Sequence, residues 1–246
     1  MHTIFAWALL ATSMPSQQAP PGDNKQMLTT QLAAPPGAVD SNPSPEFREV
    51  IRLIGAKDFD AARVKIKPIL DRCQVEEQDP KARIVDVSDT EEFLDFSSAE
   101  IIKGKNVSWV RNDCAAAYKG QAFMDVEAGD AQSAFHYLDL AAKRAPYWVE
   151  VYTERGFLLM RTGHPDDAIA AYQQAIDLTN RFKSEAHVKP LALRGMGFVL
   201  TEMGKLDDDQ KAYEASLKIE PDNQLAKNEL QYIDGLRKKP QSLPRK

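Results

Sequence analysis

The side chains of this 246-residue chain that could act on a substrate are few and scattered. His2, His136, His164 and His187 stand far apart, without Cys, Asp or Glu at the spacing a metal site requires. Asp166-Asp167 and Asp207-Asp208-Asp209 are the densest acids. Both runs fall where helices should begin, and negative charge there complements the helix dipole, so they read as caps. No Gly-rich phosphate loop, nucleophile elbow or H-E-x-x-H motif occurs. Hence no catalytic residue, metal or cofactor is expected, and the chain does not read as an enzyme. Cys73 and Cys114 are the only thiols, one before and one after an irregular stretch. In an oxidising compartment a disulfide between them would close that stretch; in the cytosol they would be two buried thiols.

Composition bounds the partners. A 43% hydrophobic and 27% charged chain is ordinary for a globular protein. A net charge of -5 argues against nucleic acid, whose phosphates need a basic face. No run approaches the roughly 20 apolar residues that span a bilayer as a helix, so no transmembrane segment is expected. Residues 1–13 carry a short apolar run, Ile4 to Ala11, that reads as a signal peptide. They lack a basic n-region, since no Lys or Arg precedes Lys25. Export to the periplasm or outside the cell is the expectation, with the cytoplasm as the alternative. Residues 14–45, rich in Pro, Gln and Ala, read as a disordered tether.

The elements come next. Phe47, Val50, Ile51, Leu53 and Ile54 predict one helix, and Phe59, Ala62, Ile66, Ile69 and Leu70 a second, so that 46–76 form a helix pair. Pro68 should kink or shorten the second helix. Residues 77–114 are irregular with a lead-in helix. Within them Ala82 to Val87 suits a strand or an extended connection, and Ser88 to Glu91 a capping box before Phe93, Leu94, Phe96 and Ile101. A helix is expected from about Asn106 to about Ala128.

From there a beat appears. Gly129 and Gly163 are 34 residues apart, each followed by Ala five residues later, and Gly204 comes 41 residues after Gly163. The first helix of each unit carries a large residue and then a small one four later: Tyr118 and Ala122, Tyr152 and Gly156, Leu193 and Gly197. The second helix carries Ala134, Leu138 and Ala141, then Ala168, Tyr172 and Ala175, then Asp209, Tyr213 and Ser216. Pro146, Asn180 and Pro221 close the units. Small residues let helices approach at a crossing while large ones fill the groove beside it.

This pattern resembles the tetratricopeptide repeat (TPR) family. The resemblance implies an all-α, TPR-type helical-hairpin solenoid, with three repeats over 115–223, a degenerate copy at 46–76 and a capping helix at 224–236. A basic tail, 237–246, follows. About seven extra residues are placed around Phe182 to Lys189. Asp125, where the family prefers a large apolar residue, and Asp209, where it prefers alanine, depart from the pattern.

In that family the first helices line a concave groove. The position after each small residue is Phe123, Phe157 and Phe198 here, an apolar ladder. Lys119, Thr153 and Arg194 precede the small residues by three, and Val126, Met160 and Thr201 lie further along the same face. Phe123, Phe157, Phe198, Lys119, Arg194 and Met160 are therefore the expected partner-binding residues, giving an apolar ladder edged by two cations. A protein partner, offering a peptide or helix with an apolar stripe, is implied. The resemblance makes the chain an interaction adaptor or assembly factor, or else a structural subunit of a larger envelope or oligomeric assembly. Packing of the three rings among themselves, or a cover formed by 77–105, is the competing account of the ladder. A clamp for the acidic tails of Hsp70/Hsp90-type chaperones would keep Lys119 but needs polar or basic groups where Phe123, Glu154, Leu191 and Gly195 stand. That role is not expected.

Overall fold

Helix starts in this chain are set by side chains that take up free backbone donors. In α1 (Pro45–Gly55), Ser44 Oγ accepts from the Phe47 amide at 3.1 Å, and Asp58 and Asp130 do the same for α2 (Phe59–Glu76) and α5 (Ala131–Arg144). The computed structural model describes residues 43–78, 82–110 and 113–238. The expected signal peptide, most of the expected tether and most of the basic tail lie outside the described residues.

Four helical hairpins stack in order: α1 with α2, α4 (Cys114–Ala128) with α5, α6 (Val149–Arg161) with α7 (Pro165–Arg181), and α8 (Lys189–Glu202) with α9 (Leu206–Ile219). Helix α10 (Gln224–Lys238) closes the stack through buried Ala226 and Ile233. A 3-10 helix, Lys183–Val188, takes up the extra residues between the third and fourth hairpins. The apolar stripes of the first two hairpins meet in one core, where Val50, Ile66, Ile69, Tyr118, Met124 and Leu138 are all at most 1% exposed.

Pro68 does not shorten its helix, and the expectation for Asn106 needs correction. Helix α2 runs through Pro68 to Glu76. Pro68 and Val64 both lie on its exposed face, where water can satisfy the carbonyl that proline leaves unbonded. The helix expected from Asn106 is a strand up to Trp109, and the helical run begins only at Cys114. Residues 82–109 form a β-α-β insertion: β1 (Ala82–Val85) pairs in parallel with β2 (Asn106–Trp109), and α3 (Thr90–Ile102) crosses between them. Val85, Val87 and Phe93 make its small core, and the Trp109 ring stacks on Phe93 at 5.4 Å. Burying those β-branched and aromatic groups under α3 favours the extended form over a helix.

The insertion leaves the hairpin stack intact. Helix α4 packs on α1 and α2, with the Gly120 backbone close against Ile54 and Ile66. Cys73, at the end of α2, and Cys114, at the start of α4, are joined by a disulfide with Cα atoms 5.6 Å apart. Beside it Arg144 pairs with Glu76 at 2.7 Å, and Lys143 and Tyr118 hold Glu77.

The turns show how far the beat extends. Gly129, Gly163 and Gly204 have φ of 80°, 82° and 72°, and Lys57 occupies the same turn position with φ 59°. A left-handed conformation strains a side-chain-bearing residue and not glycine. Lys57→Gly is therefore expected to raise stability by roughly 0.5–1 kcal/mol, the left-handed penalty less the extra chain entropy of glycine. A urea midpoint that falls instead would remove Lys57 from the series.

Candidate functional site

The first helix of every hairpin ends at a left-handed turn residue, and this fixes the direction of its side chains. Six residues before those turns stand Ile51, Phe123, Phe157 and Phe198, each half-buried. Their shared register comes from the repeat: Val50, Ala122, Gly156 and Gly197 before them are buried at the hairpin crossing, so the following residue falls on the adjacent face of its helix. Phe123 meets Phe59 edge to face at 6.0 Å, and the Arg161 guanidinium lies 5.6 Å from the Phe157 ring centre. Phe123 and Phe157 border one narrow cleft with Val126, Glu127 and Glu154.

Sequence reasoning missed two rungs. Ile51 holds the matching position in the first hairpin, six residues before Lys57, but it is not aromatic. Tyr232 follows Pro221 by eleven residues, as Phe157 follows Pro146, and it is 53% exposed on α10.

The expected rim cations are not open. Lys119 Nζ lies 3.1 Å from Glu154 and 4.7 Å from the Trp148 ring centre. Burial works against the charge of Lys119, but Glu154 and Glu150 together hold its pKa above the usual lysine value. Arg194 turns toward α9, donating to Ser216 Oγ at 3.0 Å and pairing with Glu220. Both cations are neutralised because the stack brings acids of neighbouring helices onto them. Met160 is half-buried against Ala168, Tyr172 and Val199. Thr153 bonds back to the Glu150 carbonyl, and Thr201 donates to Asp209 at 3.0 Å.

The two acids that break the family pattern are each held inside. Asp125 accepts from Arg63 at 2.6 Å, Gln121 at 2.8 Å and Ser133 at 2.6 Å. Asp209, fully buried, has its pKa raised chiefly by burial, with Thr201 opposing.

The insertion docks at the joints between hairpins, at the helix ends far from the turn residues. The Asp86 amide donates to the Arg144 carbonyl at 2.7 Å, Tyr147 Oη to Asp95 at 2.5 Å, and Ser184 Oγ to Glu92 at 2.6 Å. Glu185, on the 3-10 helix, accepts from the Val149 amide at 3.1 Å and from Ser88 Oγ at 3.3 Å. Burial, with Glu150 and Glu92 nearby, raises the Glu185 pKa from its usual 4.5 to about 7, although the Val149 and Ser88 bonds oppose this. The folded state therefore keeps a proton that the unfolded chain has lost. The stability this gives is complete below pH 4.5 and gone as pH rises through about 7. Urea midpoints taken from about pH 5 to about pH 8 should fall less steeply for Glu185→Gln than for wild type. Parallel slopes would mean the group does not titrate in that window.

Among the described residues no group of three His, Cys, Asp or Glu is arranged to hold a metal ion. No helix among them is long and apolar enough to cross a membrane.

A family profile, Tetratricopeptide repeat, matches residues 149–182. That segment spans α6, its turn and α7. No curated protein matches the chain. Among solved structures, the chain is similar to the first TPR of Spaghetti (RPAP3) bound to an HSP90 peptide, at 23% identity over 52% of this chain and 98% of that one, TM-score 0.46. The P58(IPK) TPR domain aligns at 15% identity over 78% and 45%, TM-score 0.42. A thermophilic TPR protein of Thermus thermophilus aligns at 17% identity over 76% and 96%, TM-score 0.40. Stacked repeats of this kind serve in general as surfaces for protein–protein interaction. The matched segment, residues 149–182, is thus one complete tetratricopeptide-repeat hairpin, and the hairpins around it repeat its turns and crossings.

Proposed function

We propose that this protein is an adaptor or assembly factor that takes a helix or an extended peptide into the face formed by α4, α6, α8 and α10. The observation that carries the reading is the register of half-buried Phe123, Phe157 and Phe198, with Phe123 and Phe157 sharing one cleft. Aromatic anchors supply much of the energy at such surfaces. Phe157→Ala tests it. Partner capture from native extract should be lost while the melting transition moves little. A protein that melts far earlier and still captures its partners would make the ladder part of the core.

A permanent structural subunit is the second reading. Exposed Ile101 (51%) and Ile102 (86%) on the insertion favour it, since apolar groups clustered at one surface point to an interface. A sedimentation profile that stays oligomeric on dilution would support the subunit; a monomer would support the adaptor. Export belongs to the same proposal. The Cys73–Cys114 pairing supports an oxidising compartment, and alkylation of the protein in cell fractions without reductant tests it. Free thiols in the native protein would place it in the cytoplasm.

A further inference from the structure

The ladder carries a charge pattern in the same register as its rings. Three residues before Phe157 and Tyr232 stand Glu154 and Glu229; four residues after Phe123 and Phe198 stand Glu127 and Glu202. On a helix these offsets place a carboxylate beside each ring on its own face. Glu127 and Glu154 line the cleft with Phe123 and Phe157. Glu202 and Glu229 lie close enough at the far end that Glu202, after burial, raises the Glu229 pKa. Among the described residues, Glu127, Glu202 and Glu229 have no ion-pair partner, whereas Lys119 and Arg194 are both paired. Arg161, over Phe157, is the cation on the same line. The face is therefore apolar in its middle and acidic along its edges.

From this geometry we infer that the groove selects a cationic partner: a segment of another protein whose apolar residues sit on the aromatic rungs while its Lys or Arg side chains meet Glu127, Glu202 and Glu229. The inference rests on the groove reading above and adds the sign of the ligand. Several like charges on one face attract a cationic segment and reject an acidic one, which a single surface pair could not do.

The test uses the full chain and two fluorescent helical peptides of about 18 residues, one of Leu and Lys and one of Leu and Glu in the same pattern. The Leu/Lys peptide should bind at least about tenfold more tightly than the Leu/Glu peptide. Glu127→Gln with Glu202→Gln and Glu229→Gln should weaken Leu/Lys binding by about tenfold, and more at low salt than at high. Asp166→Asn with Asp167→Asn, on the exposed start of α7, should leave it unchanged. Equal losses in the two variants would reduce the effect to general attraction by an acidic protein and overturn the inference. A Leu/Glu preference that is abolished by Phe157→Ala would overturn the charge assignment and leave the groove standing. Binding of neither peptide responding to Phe157→Ala would remove the groove itself. A tenfold gain on deleting residues 239–246 would name the chain's own basic end as the occupant, against an external partner.

Discussion

Gly195→Ala should cost about 3 kcal/mol, the upper end of what a single methyl does when forced into a packed core. A Cβ at Gly195 would stand 2.2 Å from Tyr172 Cε1, 2.5 Å from its Cζ and 2.8 Å from its Oη. The ring has little room to retreat, because on its other side the Gly156 backbone is so close that a Cβ there would meet Cε2 at 2.8 Å. Tyr172 is 5% exposed and lies between α6 and α8, so the two glycines grip one phenol ring from consecutive repeats. Gly235→Ala on α10 is the control: no atom lies within 4 Å of its Cβ position, and the helix should gain about 0.5–1 kcal/mol. Urea unfolding of both variants checks the pair. Adding Tyr172→Leu to Gly195→Ala should recover part of the loss, as coupled neighbours do. A Gly195→Ala variant as stable as wild type would mean the helices do not cross where the structure has them.

Reduction of Cys73–Cys114 should cost about 4 kcal/mol, the chain-entropy value for a loop closed over a sequence separation of 41 residues. At this size the melting temperature should drop by about 10 °C. The loss should be uneven. The bridge fastens the base of the β-α-β insertion, so amide exchange should rise more over 82–110 than over 149–182. The pairs Arg144–Glu76 and Lys143–Glu77 keep that base partly tied, which leaves a folded stack with a loosened insertion. Identical melting with and without reductant would show that the thiols are not bridged in the protein.

How much of this was legible follows from the range of each interaction. The turns at Gly129, Gly163 and Gly204 could be read because a left-handed residue between two helices is a local demand. Lys57 meets the same demand at the first turn with a residue that carries a side chain, and Ile51 stood outside the series because it is not aromatic. Tyr232 was hidden for a related reason: Gln231 stands where the repeats carry a small residue. The insertion was unreadable as a sheet because Ala82 pairs with Asn106 across the whole of α3, and neither strand keeps its shape without the other. Pro68 leaves α2 at full length, because it lies on the face of the helix that meets water.

The groove shows the same division. That Phe123, Phe157 and Phe198 share a face follows from periodicity, since each occupies one position in a repeated hairpin. The charge of that face does not. Lys119 and Arg194 read as open cations until Glu154 of the next hairpin and Glu220 beyond α9 are placed against them. Sequence alone determined the repeat, its turns and the aromatic series, because these are set within one hairpin by helix geometry and turn conformation. Tertiary structure decided the insertion, the Tyr172 crossing and the pairing of Lys119 and Arg194, because each depends on which distant side chains the stacking brings within a few ångströms.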